Sequence, residues 1–542
     1  MKILKRALAT MLSLVMLLVF ALPAFAEDTP KTYTITISNV AAGHTYEAYQ
    51  IFTGDFSDGV LSNVAWGSGV NNSALLTALK KNTTVGSKFT LATTAADVAK
   101  AMNGIGKDSA EAKAIAQVVG QNLSGTKRIS TEGTGVYKIE GLAAGYYLVK
   151  DQDASIKANQ DDSYTGIILA VVGDTTVAPK GTTPTVVKKV KENVKYINDD
   201  TFGAGYNDVA DYNIGDTVPF ELIGTLPSNY GDYSTYSYVF TDTASAGLTI
   251  DLNSVHVYVD YNTEIQGYTK ELSGQELKIT FTDLKTATDA KTAKGAEINS
   301  DSKIVVKYNA TLNGSAVIGL SGNPNEVYLT YSNNPNAGGS GNIGKTPTDK
   351  VIVFTYELDV TKIDGADSTK KLAYAEFELY KEVGETKTKN YAKVTQGKVI
   401  GWTNNEAEAS KLTSDNDGLF KVIGLDDGTY NLIETKAPAG YNKLTAPVTI
   451  TVTAATANGQ AWTDFNATNA LTALQIKVDN NAAADGNINR GVVSASIANY
   501  KGATLPTTGG IGTTIFYIVG GIMTAGAAVL LITKKRMSDL HK

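Results

Sequence analysis

Leu358-Asp359-Val360-Thr361-Lys362-Ile363 is a run of period two. On an extended chain successive side chains point to opposite faces, so Leu358 and Val360 share one face and Lys362 shares it with them. The same alternation recurs in Thr32-Tyr33-Thr34-Ile35-Thr36-Ile37 and in Lys303-Ile304-Val305-Val306-Lys307-Tyr308. Short runs of this kind, rich in Thr, Tyr and Val and separated by Gly, Asn and Asp turns, are the pattern of antiparallel β-sandwiches. One region departs from it. Ser73 to Leu79 and Asp108 to Leu123 are Ala-rich with helical spacing, which places helical insertions on the first β framework.

The chain has 542 residues, too many for one core, and domains of about 100 to 200 residues make three the expectation. Two stretches read as extended linkers, Ala178-Pro179-Lys180-Gly181-Thr182-Thr183-Pro184 and Asn333 to Pro347. The domains therefore fall at 30–182, 183–348 and 349–502. The second linker contains Gly339-x-Gly341-x-x-Gly344, but no strand precedes it and no helix follows, so these glycines have no phosphate to cradle. The chain has no cysteine, which excludes disulfides, thiolate metal sites and a cysteine nucleophile. His44, His256 and His541 are the only histidines, which leaves almost no material for a zinc site or a Ser-His-Asp triad. No cofactor and no metal is expected. Any covalent stiffening must use other chemistry.

Both ends carry targeting patterns. Lys2, Lys5 and Arg6 precede the apolar run Ala7 to Leu22 and an Ala24-Phe25-Ala26 site, the form of a secretory signal peptide over 1–26. At the other end Leu505-Pro506-Thr507-Thr508-Gly509 precedes the apolar run Ile511 to Ile532 and then Lys534-Lys535-Arg536. At about 1.5 Å per residue that run spans a hydrocarbon core of about 30 Å, and the basic cluster stays cytoplasmic. In this order the parts over 505–542 resemble the cell-wall sorting signal that sortases of Gram-positive bacteria cut between Thr508 and Gly509. Removing the signal peptide takes away three positive charges, and removing everything after Thr508 takes away four against one negative. The formal charge falls from −6 to −12. A nucleic-acid or anionic-membrane partner rewards a basic face, so neither is expected.

Gly424-Leu425-x-x-Gly428-Thr429-Tyr430-Asn431-Leu432-Ile433-Glu434-Thr435-Lys436-Ala437-Pro438 is similar to the E-box of sortase-assembled pilins. Ala178-Pro179-Lys180-Gly181 sits where those proteins carry a Tyr-Pro-Lys-Asn pilin motif, and departs from it at Ala178 and Gly181. With the signal peptide and LPTTG, the whole chain resembles the major (backbone) pilin of Gram-positive bacteria. The resemblance implies an all-β chain of three tandem Ig-like, Cna-type sandwiches, secreted, wall-anchored and built into a covalent pilus. It implies that a sortase joins Thr508 of one copy to Lys180 of the next. The implied partners are pilin-specific and housekeeping sortases, further copies of the chain, peptidoglycan, minor tip and basal pilins, and host surface ligands. An amine on an interdomain linker beside Pro179 is accessible, and a neutral amine is the nucleophile such a transfer needs.

The family also implies intramolecular Lys-Asn isopeptide bonds, and strand parity can be set against that implication. Leu358-x-Val360-x-Lys362 turns Lys362 into a core, Ala495-x-Ile497-x-Asn499 does the same for Asn499, and Tyr430-x-Leu432-x-Glu434 adds a carboxyl. Three buried polar groups are costly unless they meet. An apolar site favours a neutral Lys362 and a protonated Glu434 able to donate to the Asn499 carbonyl, so ammonia leaves and an amide remains. In the middle domain Pro184-x-Val186-x-Lys188-x-Val190 and Asn325-x-Val327-x-Leu329 point to Lys188 and Asn325, and Phe240-Thr241-Asp242, which resembles the aspartate used in the second domain of these pilins, would supply the carboxyl through Asp242. Lys189 and Asn323 stay open as substitutes, because a one-residue slip reverses the facing. In the first domain the opening strands hold no lysine, so no such bond is expected there, although Gly145 to Asp151 has an E-box-like shape.

Two weaker patterns have plainer readings. Asp415-Asn416-Asp417-Gly418 lacks the ligands of a calcium loop and reads as a hairpin turn. Tyr230, Tyr233, Tyr236 and Tyr238 could form a carbohydrate-binding surface, but packing within a sheet or loop is the simpler expectation. The resemblance implies a non-enzymatic shaft subunit serving adhesion or biofilm, and the scarcity of histidine and cysteine puts enzyme readings at a disadvantage. The competing readings are a monomeric wall-anchored adhesin for a host glycan or matrix protein, and a wall-anchored glycosidase with paired carboxylates, for which no local signature exists.

Overall fold

The computed structural model describes residues 31–38, 43–57, 60–106, 109–131, 135–158, 166–178, 182–193, 200–335, 342–457, 459–502 and 511–539. The signal peptide, Pro179-Lys180-Gly181, Gly339, Gly341 and Leu505 to Gly509 lie outside the described residues. The rest is a string of β-sandwiches.

In the first, Tyr33–Ser38 runs between Val136–Leu142 (antiparallel) and Thr175–Val177 (parallel). The facing sheet has the order Val60–Trp66, Tyr46–Ser57, Gly145–Asp151, Gly166–Val171. Ile35, Ile37, Tyr137 and Ile139 pack between the sheets against Ala48, Tyr147 and Val149. The period of two puts Leu148 on the other face, where it meets helices. Helices occupy Asn72–Lys81, Gly86–Phe89, Ala95–Met102 and Ala110–Gly120, the first covering the Ser73 to Leu79 stretch and the last the middle of the Asp108 to Leu123 stretch, of which Asp108 lies outside the described residues. Leu75, Leu79, Phe89, Ile115 and Val119 cover Phe52, Leu148 and Ile168. Thr94 and Asp97 form a reciprocal capping box that satisfies free N–H groups at the third helix's start.

The middle sandwich packs two sheets of seven strands each. One has Thr217–Gly224 between Val186–Lys191 and Ile304–Leu312; the other has Tyr238–Ala244 between Asn323–Ser332 and Glu276–Phe281. Phe220, Leu222, Val306 and Tyr308 interleave with Phe240, Ile279 and Leu329. Tyr230, Tyr233, Tyr236 and Tyr238 are all buried, with edge-on ring pairs at 5.0 and 4.8 Å. They fill the core rather than form a surface. Two segments extend this sheet beyond the sequence reading. Ile343–Lys345, expected in the linker, pairs with Thr330 to Ser332. Asp349–Phe354, placed by the boundary at 348 in the third domain, pairs with Asn323 to Val327, because Val351, Ile352, Val353 and Phe354 are buried here.

In the third sandwich Tyr356–Asp364 lies between Leu419–Leu425 (antiparallel) and Val492–Asn499 (parallel). Gly428–Lys436 pairs with Glu376–Val383 and Val448–Thr456. Asp415 to Gly418 forms a turn in which Asp415 Oδ1 accepts from the backbone N–H of Asp417 and Leu419. Beyond the sandwiches Ile511–Asp539 is one helix, with an exposed, mostly apolar span Thr514–Met537 that is long enough to cross a membrane.

Candidate functional site

Two closed clusters of lysine, carboxyl and asparagine lie inside the middle and third sandwiches. In the third, Lys362 is opposite Ile497 and Asp364 opposite Asn499 in the parallel ladder. The alternation seen in sequence turns Lys362, Asn499 and Glu434 inward, and each is at most 1% exposed. Lys362 Nζ donates to Ile497 O at 2.9 Å and lies 3.9 Å from Glu434 Oε1. Asn499 Nδ2 donates to Glu434 Oε2 at 2.9 Å and to Asn442 O at 2.5 Å, and Leu444 N–H donates to Glu434 Oε2 at 2.7 Å. Burial pushes the Lys362 amine down to about 8, against the opposing pull of Glu434. Glu434 Oε1 and Asn499 Oδ1 are both buried without a hydrogen-bond partner. Turning the Asn499 amide over would exchange its nitrogen and oxygen against the carboxyl, giving a proton on Glu434 an acceptor on the carbonyl that must be activated.

The middle cluster is drier. Lys188, Asp242 and Asn325 are fully buried. Lys188 Nζ donates to Asp242 Oδ2 and, at 2.9 Å, to the Tyr308 hydroxyl. Tyr308 in turn donates to Asp242 Oδ1 at 2.9 Å and accepts from Asn325 Nδ2 at 2.8 Å. Burial drives Lys188 down and Asp242 up, while their mutual attraction opposes both shifts. The substitutes go elsewhere. Lys189 Nζ bonds Asp208 Oδ1 at 2.5 Å, and Asn323 binds the backbone of Val317 and Val353.

Tyr308 escaped the sequence reading, although its parity with Ile304 and Val306 marked it as inward-facing. So did a group of acids between the middle and third sandwiches. Oxygens of Asp211, Asp426 and Asp427 lie within 4.8 Å of one another, all three buried. Among the described residues they are the acidic group close enough together to hold a cation. Around them Tyr356 donates to Asp211 Oδ2 at 3.0 Å, Asn193 Nδ2 to Asp426 Oδ2 at 3.0 Å, and Tyr430 to Asn213 Oδ1 at 2.9 Å. Burial pushes Asp211 and Asp426 well above the usual carboxylate range; Asp426 then adds most to Asp211, and Glu192 to Asp426.

In the first sandwich Lys150 is paired with Asp153 at 2.9 Å and lies 3.9 Å from Glu47. His44 Nδ1 lies 2.6 Å from Asp151 Oδ2, and Ser155 donates to the other Asp151 oxygen at 2.5 Å. The aspartate is at the centre of these contacts, whereas a nucleophilic triad would place the histidine there.

Sandwiches with such interiors, followed by a membrane-length helix and a basic tail, define a wall-anchored fibre protein. Three family profiles match the chain: a prealbumin-like fold domain (SpaA) at 356–465, a Gram-positive pilin backbone subunit 2, Cna-B-like domain at 214–335, and the LPXTG cell wall anchor motif at 498–539. The trypsin-resistant surface T6 protein of Streptococcus pyogenes serotype M6 is 24% identical over 426 residues, 67% of this chain and 71% of that one. The solved T6 backbone pilin of serotype M6 Streptococcus pyogenes shares the fold, with a TM-score of 0.51 at 19% identity over 89% of this chain and all of that one. The major pilin SpaD of Corynebacterium diphtheriae gives a TM-score of 0.46 at 17% identity, over 89% of this chain and 99% of that one. The chain belongs to the sortase-assembled major (backbone) pilins of Gram-positive bacteria. It is a cell-wall-anchored surface pilus protein of a structural family, subject to sortase processing, polymerisation and linkage to the wall.

Proposed function

We propose that this backbone subunit is linked by sortase through Thr508 to Lys180 of the next copy, and that two of its sandwiches are closed internally by Lys-Asn isopeptide bonds. The shaft grows by repetition of the first link, and a last transfer joins the chain to peptidoglycan. Pilin-specific and housekeeping sortases divide these steps, minor pilins occupy tip and base, and the fibre serves adhesion or biofilm. Its working units are three tandem sandwiches, with the boundary between the second and third falling after the strand Asp349–Phe354.

The observation that carries the internal bonds is the meeting, in two separate cores, of one lysine, one carboxyl and one asparagine with no exposed atom among the ionisable pair. A buried ion pair is poor compensation for lost hydration, and an amide removes both charges at once. Lys362 Nζ would attack Asn499 Cγ while Glu434 protonates the carbonyl oxygen; the carboxylate then takes a proton from the attacking amine and passes it to the departing nitrogen, and regains its own proton as the carbonyl re-forms. Ammonia leaves, and no outside enzyme is needed. In the middle sandwich Lys188 is the nucleophile and Asn325 the amide that it attacks, with Asp242 as the buried carboxyl beside them.

Wall extracts test the polymer. Cells making the wild-type chain should show a high-mass ladder that Lys180→Ala collapses to monomer. An unchanged ladder removes Lys180 from this role, and no ladder in wild type would favour a monomeric adhesin.

A further inference from the structure

We infer that Tyr308 is a catalytic residue of bond formation in the middle sandwich, passing a proton from the Lys188 amine to the departing Asn325 nitrogen. This inference rests on the isopeptide reading of the Lys188 cluster, and it adds a group that the sequence did not reveal. The two cores differ in how the carboxyl reaches the amide. In the third sandwich Glu434 itself accepts from Asn499 Nδ2 at 2.9 Å. In the middle one the carboxyl is an aspartate, one methylene shorter, and it grips the lysine. The asparagine nitrogen, which also faces Asp242, rests on Tyr308, 2.8 Å from the hydroxyl, and the lysine amine lies 2.9 Å from the same oxygen. One hydroxyl thus touches the nitrogen that must lose a proton and the nitrogen that must gain one.

The balance is closed without another reactant. Lys188 Nζ bonds to Asn325 Cγ, and the bond from Cγ to Nδ2 breaks. One hydrogen of the neutral amine moves to the Tyr308 oxygen as the hydroxyl hydrogen moves to Nδ2, so ammonia departs with three hydrogens and the phenol is restored. Burial and Asp242 hold Tyr308 well above its ordinary value, which disfavours a free phenolate and requires the two transfers to be concerted. Geometry keeps the hydroxyl in place. The Tyr308 ring stacks on Phe220 at 5.3 Å and 18°. The residue is 2% exposed, which leaves bulk water a poor substitute.

Tyr308→Phe keeps the stacked ring and deletes the relay. Full-length wild-type and variant chains made by cell-free synthesis, quenched at intervals and digested, report the Lys188–Asn325 branched peptide by mass spectrometry. The expected result is bond formation about 10²-fold slower in the variant, with a residual rate that climbs with pH as hydroxide takes over the transfer. The Lys362–Asn499 peptide in the same chains should appear at an unchanged rate. A variant rate equal to wild type overturns the inference, as does a slowing with no change in the pH profile, which would mean positioning alone. Absence of the Lys188–Asn325 peptide from wild type would instead overturn the underlying reading of the cluster, and the relay with it. Protease resistance compared with the Lys188→Ala chain scores folding. If Tyr308→Phe does not fold, 3-fluorotyrosine at position 308 retains the hydroxyl but acidifies it. A shifted rate–pH profile then supports the relay, and an unshifted one overturns it.

Discussion

Lys188 and Asp242 stand on facing sheets of the middle sandwich, and the lysine amine donates to Asp242 Oδ2 with neither side chain exposed. Asp242 is therefore the group that both holds the nucleophile and discharges it. In Asp242→Ala the middle bond should not form, and the intact mass of the ectodomain should rise by one ammonia beyond the change due to the substitution itself. Glu434→Ala should do the same for the third sandwich. If wild type already has the mass of its full formula, neither bond exists.

The third-sandwich bond ties the first strand of the unit to its last. As a chain-entropy constraint over more than 100 residues it is worth about 4–5 kcal/mol. Asn499→Ala should lower the thermal midpoint of that sandwich accordingly and open it to trypsin. A variant as stable and as resistant as wild type would show that the link carries no load.

The same variant has a pH signature. Lys362 without its partner remains an amine held at about 8 rather than the ordinary 10.5. Between those values the unfolded chain binds the proton and the folded chain does not, so stability should rise with pH across that window. Wild type, with an amide in place of the amine, should lack this rise. Equal slopes in the two chains, measured by denaturant unfolding, would contradict the assignment.

Strand parity made this much legible in advance. Once the pilin resemblance suggests Lys-Asn bonds, period two points to Lys362, Asn499, Glu434, Lys188 and Asn325, and each is turned inward. What parity cannot supply is which inward residues on different strands meet. Tyr308 shared its face with Ile304 and Val306 and looked like any core tyrosine; only the pairing of Phe220 opposite Tyr308, next to Lys188 opposite Leu222, brings its hydroxyl to the lysine. The acids between sandwiches were hidden for a similar reason. Asp211 and Asp426 are far apart in sequence, and each alone reads as a turn or strand-end residue. The strand Asp349–Phe354 was assigned to the following unit because proline and glycine mark where the chain bends, not which sheet takes the next strand.

Asp211 and Asp426 make the junction between the middle and third sandwiches sensitive to pH. Their folded values are raised well above the ordinary 3.8, so the folded chain keeps protons that the unfolded chain has released. Stability should fall as pH rises through that window and recover as it is lowered. Asp211→Asn should flatten the dependence and raise the thermal midpoint near neutral pH. A variant that keeps the wild-type pH slope would place the titration elsewhere.

Close glycine contacts hold the same junction. Gly491 has a φ of +67°, and a Cβ there would lie 2.4 Å from the Gly319 nitrogen. Gly491→Ala must strain its own backbone or push the two sandwiches apart, at about 1–3 kcal/mol. An earlier unfolding transition and faster proteolysis near Gly319 are expected. An unchanged transition would mean that the contact gives way at no cost.

The central claim is that amide bonds, within subunits and between them, carry this fibre. Mass spectrometry of wall-released material tests it most directly. The account predicts a branched peptide in which the Thr508 carbonyl is joined to the Lys180 amine, together with the two internal Lys-Asn peptides. Native wall material containing only unbranched peptides around Lys180, with Thr508 joined to peptidoglycan alone, would contradict it.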